Sequence, residues 1–243
     1  MRGGPGTSDP GQISYTNVTL ASVLMRAWDV KSYQVSGPDW LGSDRYDIVA
    51  KIPDGATREQ FQAMLQKLVA DRFHLVLHHE TRDLQGYQLT VGRNGSRLKP
   101  AVEDDAAPQD LSTPPKIDPT GYPILTGPGI ILMEGRKGNS VAVFVTAKAQ
   151  PLSALIDLIS REFRLPVLDK TGLGGKFDFQ LEFAPQPPGA LLAAPPDSVP
   201  VADDSAPNLI VAIPQQLGLR LLPRKIPLDI LVVDRADRVP TEN

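Results

Sequence analysis

The stretch Arg45-Tyr-Asp-Ile-Val-Ala-Lys-Ile52, with the helix signal that follows it, sets the fold class of this chain. Alternate side chains of this stretch, beginning with Tyr46, share one face of an extended chain, so we predict a β-strand. Residues 53–55 form a turn, and Thr57-Arg-Glu-Gln60 fits the capping box that begins many helices. The order in which such strands and helices continue along the chain distinguishes an α+β fold from a doubly wound parallel sheet.

The same periodicities extend the prediction toward both ends of the chain. The predicted strands are 12–18, 33–35, 45–52, 73–77, 86–91, 141–146, 165–168, 176–183, 219–221 and 228–233. Helices are predicted from Leu20, Thr57 and Leu152 and over 208–217, where Pro214 predicts a kink. This order, β-α-β-β-α-β-β in the first half, predicts an α+β fold with mostly antiparallel sheets.

Matching spacings in the two halves predict an internal repeat. The aligned pairs are Leu20 with Leu152, Val35 with Val167, Arg45-Tyr-Asp-Ile48 with Lys176-Phe-Asp-Phe179, and Phe73 with Leu217. Two amphipathic helices always align, but a basic-aromatic-Asp-apolar quartet is a more specific match. We therefore predict two pseudo-repeated lobes, each with the order β-α-β-β-α-β-β.

The prolines divide the chain. Of the 24 prolines in 243 residues, seven lie between Pro100 and Pro128 and seven between Pro185 and Pro207. Long stretches without structure are uncommon inside compact domains, so a linker and an insertion explain these clusters. The predicted organisation is a disordered N-terminus at 1–11, lobe 1 at 12–96, a proline-rich linker at 97–140, and lobe 2 at 141–243 with a proline- and alanine-rich insertion at 184–207.

Composition excludes several classes of function. Cysteine is absent, which removes disulfides, thiolate catalysis and cysteine-based metal sites. A net charge of −3 predicts no broad basic face for nucleic acid, and the small cluster Arg93, Arg97 and Lys99 is expected to be a solvated strand end. No apolar run reaches the roughly 18 residues of a transmembrane helix. Gly172-Leu-Gly-Gly-Lys176 lacks the residues of a phosphate loop, so no cofactor is predicted.

Two catalytic constellations are weighed against ordinary structural roles. Ser96-Arg-Leu-Lys99 and Lys170-Thr-Gly172 match short elements of serine acyl transferases, but Pro100 argues against the helix that this chemistry requires. His74, His78 and Glu80 could share one strand face and begin a zinc site, although a half-exposed strand has the same pattern. We predict no catalytic residues and no metal ligands, and keep a metal-dependent or serine hydrolase as the alternative.

Seven stretches of the chain form a recognisable set. They are Thr16-Asn-Val-Thr-Leu20, Val35-Ser-Gly-Pro-Asp-Trp-Leu41, Arg45-Tyr-Asp-Ile-Val-Ala-Lys51, Leu68-Val-Ala-Asp-Arg-Phe73, Leu165-Pro-Val-Leu-Asp-Lys-Thr-Gly-Leu173, Lys176-Phe-Asp-Phe179 and Gln216-Leu-Gly-Leu219. Together they resemble a large acidobacterial family of soil-associated proteins that carry a domain of unknown function. The resemblance implies an uncharacterised periplasmic or secreted protein, although the first residues lack the apolar core of a signal peptide.

The predicted function is a non-catalytic binding or interaction module of the cell envelope. Its partner would be another envelope protein or a cell-wall fragment. We expect the contacts at strand-to-strand turns, through Trp40, Arg45 and Tyr46 in lobe 1 and through Lys170 and Lys176 in lobe 2.

Overall fold

The computed structural model describes residues 1–102, 107–109, 113–138, 140–185 and 206–241. The chain forms two compact units, one made of Met1–Asp83 with Pro227–Asn243 and the other of Leu84–Ile226. Helices and mostly antiparallel strands build both units, which confirms the predicted α+β class. None of the helices in the described ranges has the length and apolar character needed to cross a membrane.

The elements follow one another along the chain as short helices and strands. In the first half they are β1 (Arg2–Gly3), β2 (Gln12–Val18), α1 (Leu20–Trp28), β3 (Val35–Ser36), α2 (Trp40–Ser43), β4 (Tyr46–Lys51), α3 (Arg58–Phe73) and β5 (Val76–Val91). In the second half they are β6 (Lys99–Pro100), β7 (Gly129–Lys137), β8 (Ser140–Pro151), α4 (Leu152–Phe163), β9 (Val167–Asp169), β10 (Lys176–Phe183), α5 (Leu209–Ala212) and β11 (Leu219–Arg235). A π-helical turn, Ile213–Leu217, follows α5 at the predicted Pro214 kink.

Local sequence signals account for the helices of the first unit. The Thr57 hydroxyl accepts the Gln60 amide at 3.2 Å, and the Gln60 side chain accepts the Thr57 amide at 2.9 Å, so the predicted capping box begins α3. The Thr19 hydroxyl caps α1 in the same unit. The apolar faces of α1 and α3 share one buried core with β2 and β4, which includes Leu24, Phe61 and Val69.

The Asp of the repeated quartet has one structural role in both units. In the first unit Asn17 has a positive φ of 56°, and its amide donates to the Asp47 carboxylate at 2.7 Å. In the second unit Ala149 has a φ of 50°, and its amide donates to the Asp178 carboxylate at 2.7 Å. The strand registers shift next to both positions, so each Asp stabilises a β-bulge in a strand that precedes a helix.

The second strand of each predicted copy pairs with the last strand of the other copy. Val35 of β3 lies beside Leu231 of β11, and Val167 of β9 lies beside Tyr87 of β5, with both pairs parallel. The offset that aligns Phe73 with Leu217 also aligns Tyr87 with Leu231, since both differences are 144 residues. These reciprocal pairings support the internal repeat, which stays a prediction that superposition of the halves would test.

The two compact units do not coincide with the predicted lobes at 12–96 and 141–243, because each unit contains strands of both predicted copies. We call this arrangement the strand exchange. The unit boundaries fall inside β5 and β11, after Asp83 and after Ile226. Where two separate strands are predicted at 73–77 and 86–91, the structure has the single long strand β5. The strands predicted at 219–221 and 228–233 are likewise one long strand, β11. Phe73 is the last residue of helix α3 and is not part of a strand. Sequence periodicity locates each strand but not its partner, so the exchange does not follow from the pattern.

Some of the segments predicted to lack structure contain strands. In the predicted disordered N-terminus, Arg2–Gly3 pairs with β2, and in the predicted linker Gly129–Lys137 pairs with β8 along its whole length. Residues 103–106, 110–112 and 139 of that linker lie outside the described residues. Of the predicted insertion at 184–207, residues 186–205 also lie outside them.

Candidate binding cleft

The predicted contact residues of the first unit take part in its internal packing. Trp40 begins α2 and packs partly buried against the core. The Arg45 guanidinium donates to the Asn17 carbonyl at 3.4 Å. The Tyr46 ring meets Phe73 edge-on at 5.1 Å, and its hydroxyl donates to the Arg238 carbonyl at 2.8 Å. Burial raises the pKa of Tyr46, so its hydroxyl stays protonated and available as a donor.

The predicted contact residues of the second unit are exposed and lie at a turn and a strand start. The Lys170 amide donates to the Leu89 carbonyl at 2.9 Å, and the Lys176 carbonyl accepts the Ala101 amide at 2.9 Å. The Thr171 hydroxyl and amide both donate to the Asp169 carboxylate at 2.8 Å, so this segment forms the turn expected from its sequence. Binding of a partner through these turns stays a prediction.

The serine and lysines of the alternative reaction are not arranged as a catalytic set. Ser96 lies in a turn, where its Oγ accepts the Leu98 amide at 3.1 Å. Lys99–Pro100 forms β6, which pairs with β10, so the helix that would place the lysine one turn from the serine does not exist. Among the described residues, no hydrogen bond joins Ser96 to Lys99 or Lys170.

The three histidines each pair with an aspartate of the C-terminal strand region. Their Nδ1 atoms lie 2.7 Å (His74–Asp237), 2.8 Å (His78–Asp234) and 2.6 Å (His79–Asp229) from carboxylate oxygens. Within the described ranges no group of three or more His, Cys, Asp or Glu side chains is arranged to hold a metal ion. His74, His78 and Glu80, which the metal-dependent alternative places on one strand face, do not share such a face in this structure. The physical reason is that His74 caps α3 with a φ of 43° and is not on the strand.

An open cleft in the second unit combines polar and apolar walls. The four-stranded sheet β6-β10-β8-β7 buries one face against α4 through residues such as Val145 and Leu181. The residues 113–128 lie against the opposite face, where the Tyr122 ring meets Phe144 edge-on at 5.3 Å. Between this segment and the sheet lies a cleft of about 490 Å³.

Strand pairing places the polar residues of the cleft next to one another on the same face of the sheet. Thr146 of β8 lies beside Gln180 of β10, and Asp178 of β10 lies beside Lys99 of β6. Lys148 is two residues beyond Thr146 on the same face of β8, because side chains alternate along a strand. The apolar wall is formed by Pro123, Ile124 and Leu125.

One hydroxyl in this cleft has no partner. The Thr146 Oγ1 is buried, yet no group in the described part of the chain forms a hydrogen bond with it. Leaving a buried polar group unsatisfied costs about 1–3 kcal/mol. A bound molecule that supplies a hydrogen-bonding group beside Thr146 would recover that free energy.

The charges around this hydroxyl have both signs. The hydrogen bond from the Thr120 hydroxyl, with backbone amides, holds the pKa of Asp118 below its usual value, so this carboxylate is ionised at neutral pH. Asp178 accepts the Ala149 amide, and the Lys148 ammonium donates to the Thr126 carbonyl at 3.3 Å. The Lys99 ammonium forms no hydrogen bond or ion pair with the described residues, so it is available to an anionic ligand.

Sequence reasoning missed this cleft. A usable signal existed, because Thr146 and Lys148 are polar positions between the buried residues of one strand, and Asp178 and Gln180 are the same in another. The sequence does not predict that residues 113–128 cover this face of the sheet. The position of this segment depends on tertiary contacts such as Tyr122 with Phe144, and the segment itself has no periodic pattern of apolar residues.

Comparison with known proteins gives a family match over most of the chain. A protein-family model described as "Protein of unknown function (DUF3738)" matches residues 21–236. Neither a curated protein nor a solved structure matches the chain.

Proposed function

We propose that this chain, which belongs to the DUF3738 family of unknown function, is a non-catalytic binding module. We place its binding site at the cleft of the second unit, and its location in the cell envelope or outside the cell. The family resemblance supports that location. The cleft supports the binding role, because its polar groups converge beside an apolar wall, which is typical of small-molecule sites.

The observation that carries this proposal is the buried Thr146 hydroxyl, which has no hydrogen-bond partner among the residues that the structure describes. Buried polar groups without a hydrogen bond are rare in native proteins, because each one lowers the stability of the fold. Such a group therefore indicates a requirement other than stability. Valine has nearly the shape of threonine and suits a β-strand, so the hydroxyl is not needed for packing. Its position within a solvent-open cleft makes a ligand the simplest partner.

The charges of the cleft favour a small ligand with a carboxylate and further polar groups. Lys99 and Lys148 attract an anion, while the acceptor oxygens of Asp118 and Asp178 suit an amine or amide N–H. Ile124 and Leu125 would cover an apolar side chain or methyl group. Cell-wall peptide fragments combine these features, which agrees with the predicted partner class.

Calorimetric titration with muramyl dipeptide, a soluble cell-wall fragment that carries one carboxylate, tests the site. Thr146→Val is expected to weaken binding about fivefold while keeping or raising the free energy of unfolding, because it removes an unsatisfied hydroxyl. Lys99→Gln is expected to weaken binding about tenfold. The matched controls are Thr90→Val, whose hydroxyl has a partner at 3.4 Å, and Lys225→Gln, which removes an exposed lysine of the same unit that does not line the cleft.

Equal binding by Thr146→Val, Lys99→Gln and the unsubstituted protein would refute the assignment of the cleft. Mass spectrometry of the recovered ligand tests the non-catalytic part separately. We expect the ligand to be unchanged after prolonged incubation. Turnover that Ser96→Ala or a chelator abolishes would establish the hydrolase alternative instead.

A further inference from the structure

Three arginines surround a second pocket of the same unit. This arginine pocket, defined by Arg93, Arg97 and Arg220 with the glycines around them, has a volume of about 210 Å³. It lies where the chain leaves β5 and where it enters β11. The three side chains are exposed, so their guanidinium groups are accessible from solvent.

Two close backbone contacts hold the arginine-bearing segments together. The Gly92 amide donates to the Gly218 carbonyl at 2.8 Å, and the Arg97 amide donates to the Leu217 carbonyl at 2.8 Å. Gly218 has a φ of 66°, and a Cβ there would lie 2.3 Å from the Gly95 carbonyl oxygen, so only glycine fits. The backbone that carries the three arginines is therefore fixed before any ligand arrives.

No acidic side chain among the described residues lines this pocket. Within the described residues none of the three arginines forms an ion pair, and the Arg97 guanidinium donates to the Gln215 carbonyl. Like charges gathered at one place repel each other, and an anion that enters the pocket relieves this repulsion.

We propose that the arginine pocket binds a phosphate group. Guanidinium groups donate two parallel hydrogen bonds to phosphate oxygens, and several arginines around one dianion give a strong and specific site. The phosphate could be free or esterified to a larger molecule, since both present the same oxygens. This proposal does not rest on the binding role of the cleft, because Arg93 and Arg220 line only the arginine pocket.

Titration of the full chain with inorganic phosphate, followed by nuclear magnetic resonance of the arginine Nε–H groups at constant ionic strength, tests the site. We expect saturable shifts of the three arginine signals, and at least about tenfold weaker binding for Arg93→Gln and for Arg220→Gln. Arg161→Gln is the matched control, because this arginine is exposed in α4 of the same unit and lines neither pocket.

Glucose 6-phosphate distinguishes the two sources of phosphate. Tighter binding than inorganic phosphate would assign the site to a phosphate ester, and equal binding would assign it to the free ion. Equal phosphate affinity of Arg93→Gln, Arg220→Gln and Arg161→Gln, in variants with unchanged circular dichroism, would overturn the proposal. Muramyl dipeptide binding in the cleft is measured on the same variants and can succeed or fail independently.

Discussion

Single residues of this chain show how polar groups constrain its core. Tyr15 lies in the core of the first unit with 1% of its surface exposed, and its hydroxyl has no partner among the described residues. Tyr46 also packs against that core, but its hydroxyl has a partner. Removing each hydroxyl in turn therefore compares the contribution of an unsatisfied hydroxyl to the free energy of unfolding with that of a satisfied one.

Tyr15→Phe is expected to raise the free energy of unfolding by about 1 kcal/mol, because it removes a buried group without a hydrogen bond. Tyr46→Phe is expected to lower it by a similar amount, because the hydrogen bond to the Arg238 carbonyl is lost. Urea unfolding measures both changes. A loss of stability in Tyr15→Phe equal to that in Tyr46→Phe would contradict this account.

The bulge aspartates give a second prediction at the scale of residues. Asp178→Ala should cost about 2 kcal/mol and Asp47→Ala about 1 kcal/mol, because the Ala149 amide is buried and the Asn17 amide is exposed. Asparagine keeps a carbonyl oxygen as acceptor, so Asp178→Asn should recover part of the loss. Chemical denaturation of the three variants provides the measurement, and equal costs at the two sites would refute the argument from burial.

At the scale of elements, histidine–aspartate pairs connect β5 with β11 in the first unit. The hydrogen bond that His78 donates to the Asp234 carboxylate raises the pKa of His78 above its usual value, and Glu80 adds to the effect. Arg82 pairs with the same Glu80. A raised pKa in the folded state means that the pair adds stability below the unfolded pKa. That stability is lost as the pH rises through the folded pKa.

Asp234→Asn should therefore reduce the free energy of unfolding more at pH 5.5 than at pH 8.5. In this variant the imidazolium loses its nearest charged partner and keeps only Glu80 at 3.8 Å, whereas the neutral imidazole gains little from the Asp234 carboxylate. Denaturant unfolding at the two pH values gives the comparison. Asp71→Asn removes a carboxylate paired with Lys67 and no histidine, so its cost should not depend on pH in this range.

At the scale of the whole molecule, each unit is completed by a strand that belongs to the other predicted copy. Leu231 of β11 is fully buried in the first unit and lies beside Val35, nearly 200 residues earlier in the chain. The last strand region is thus part of the core of the first unit. Loop closure over such separations makes the pairing slow to form, although it costs little stability once formed.

Leu231→Ala should lower the free energy of unfolding by about 2–5 kcal/mol, because it leaves a cavity in a packed core. Hydrogen exchange should then rise in α1, β2 and β4 of the first unit, more than in α4, β8 and β10 of the second unit. Leu168→Ala is the control, since 42% of that side chain is exposed. An equal rise of exchange in both units would contradict the assignment of this strand to the first unit.

Local sequence patterns predict the fold class and most of the helices and strands, but not β1 or β7. The capping box at Thr57, the alternation from Tyr46 and the kink at Pro214 predict local structure, because they depend on residues within one or two turns. Tertiary contacts alone determine which strands pair, where the units divide, and that residues 113–128 cover the face that carries Thr146. These features depend on the free energies of contacts between residues that are far apart in the chain. Such contacts produce no periodic pattern in the local sequence, so periodicity cannot predict them.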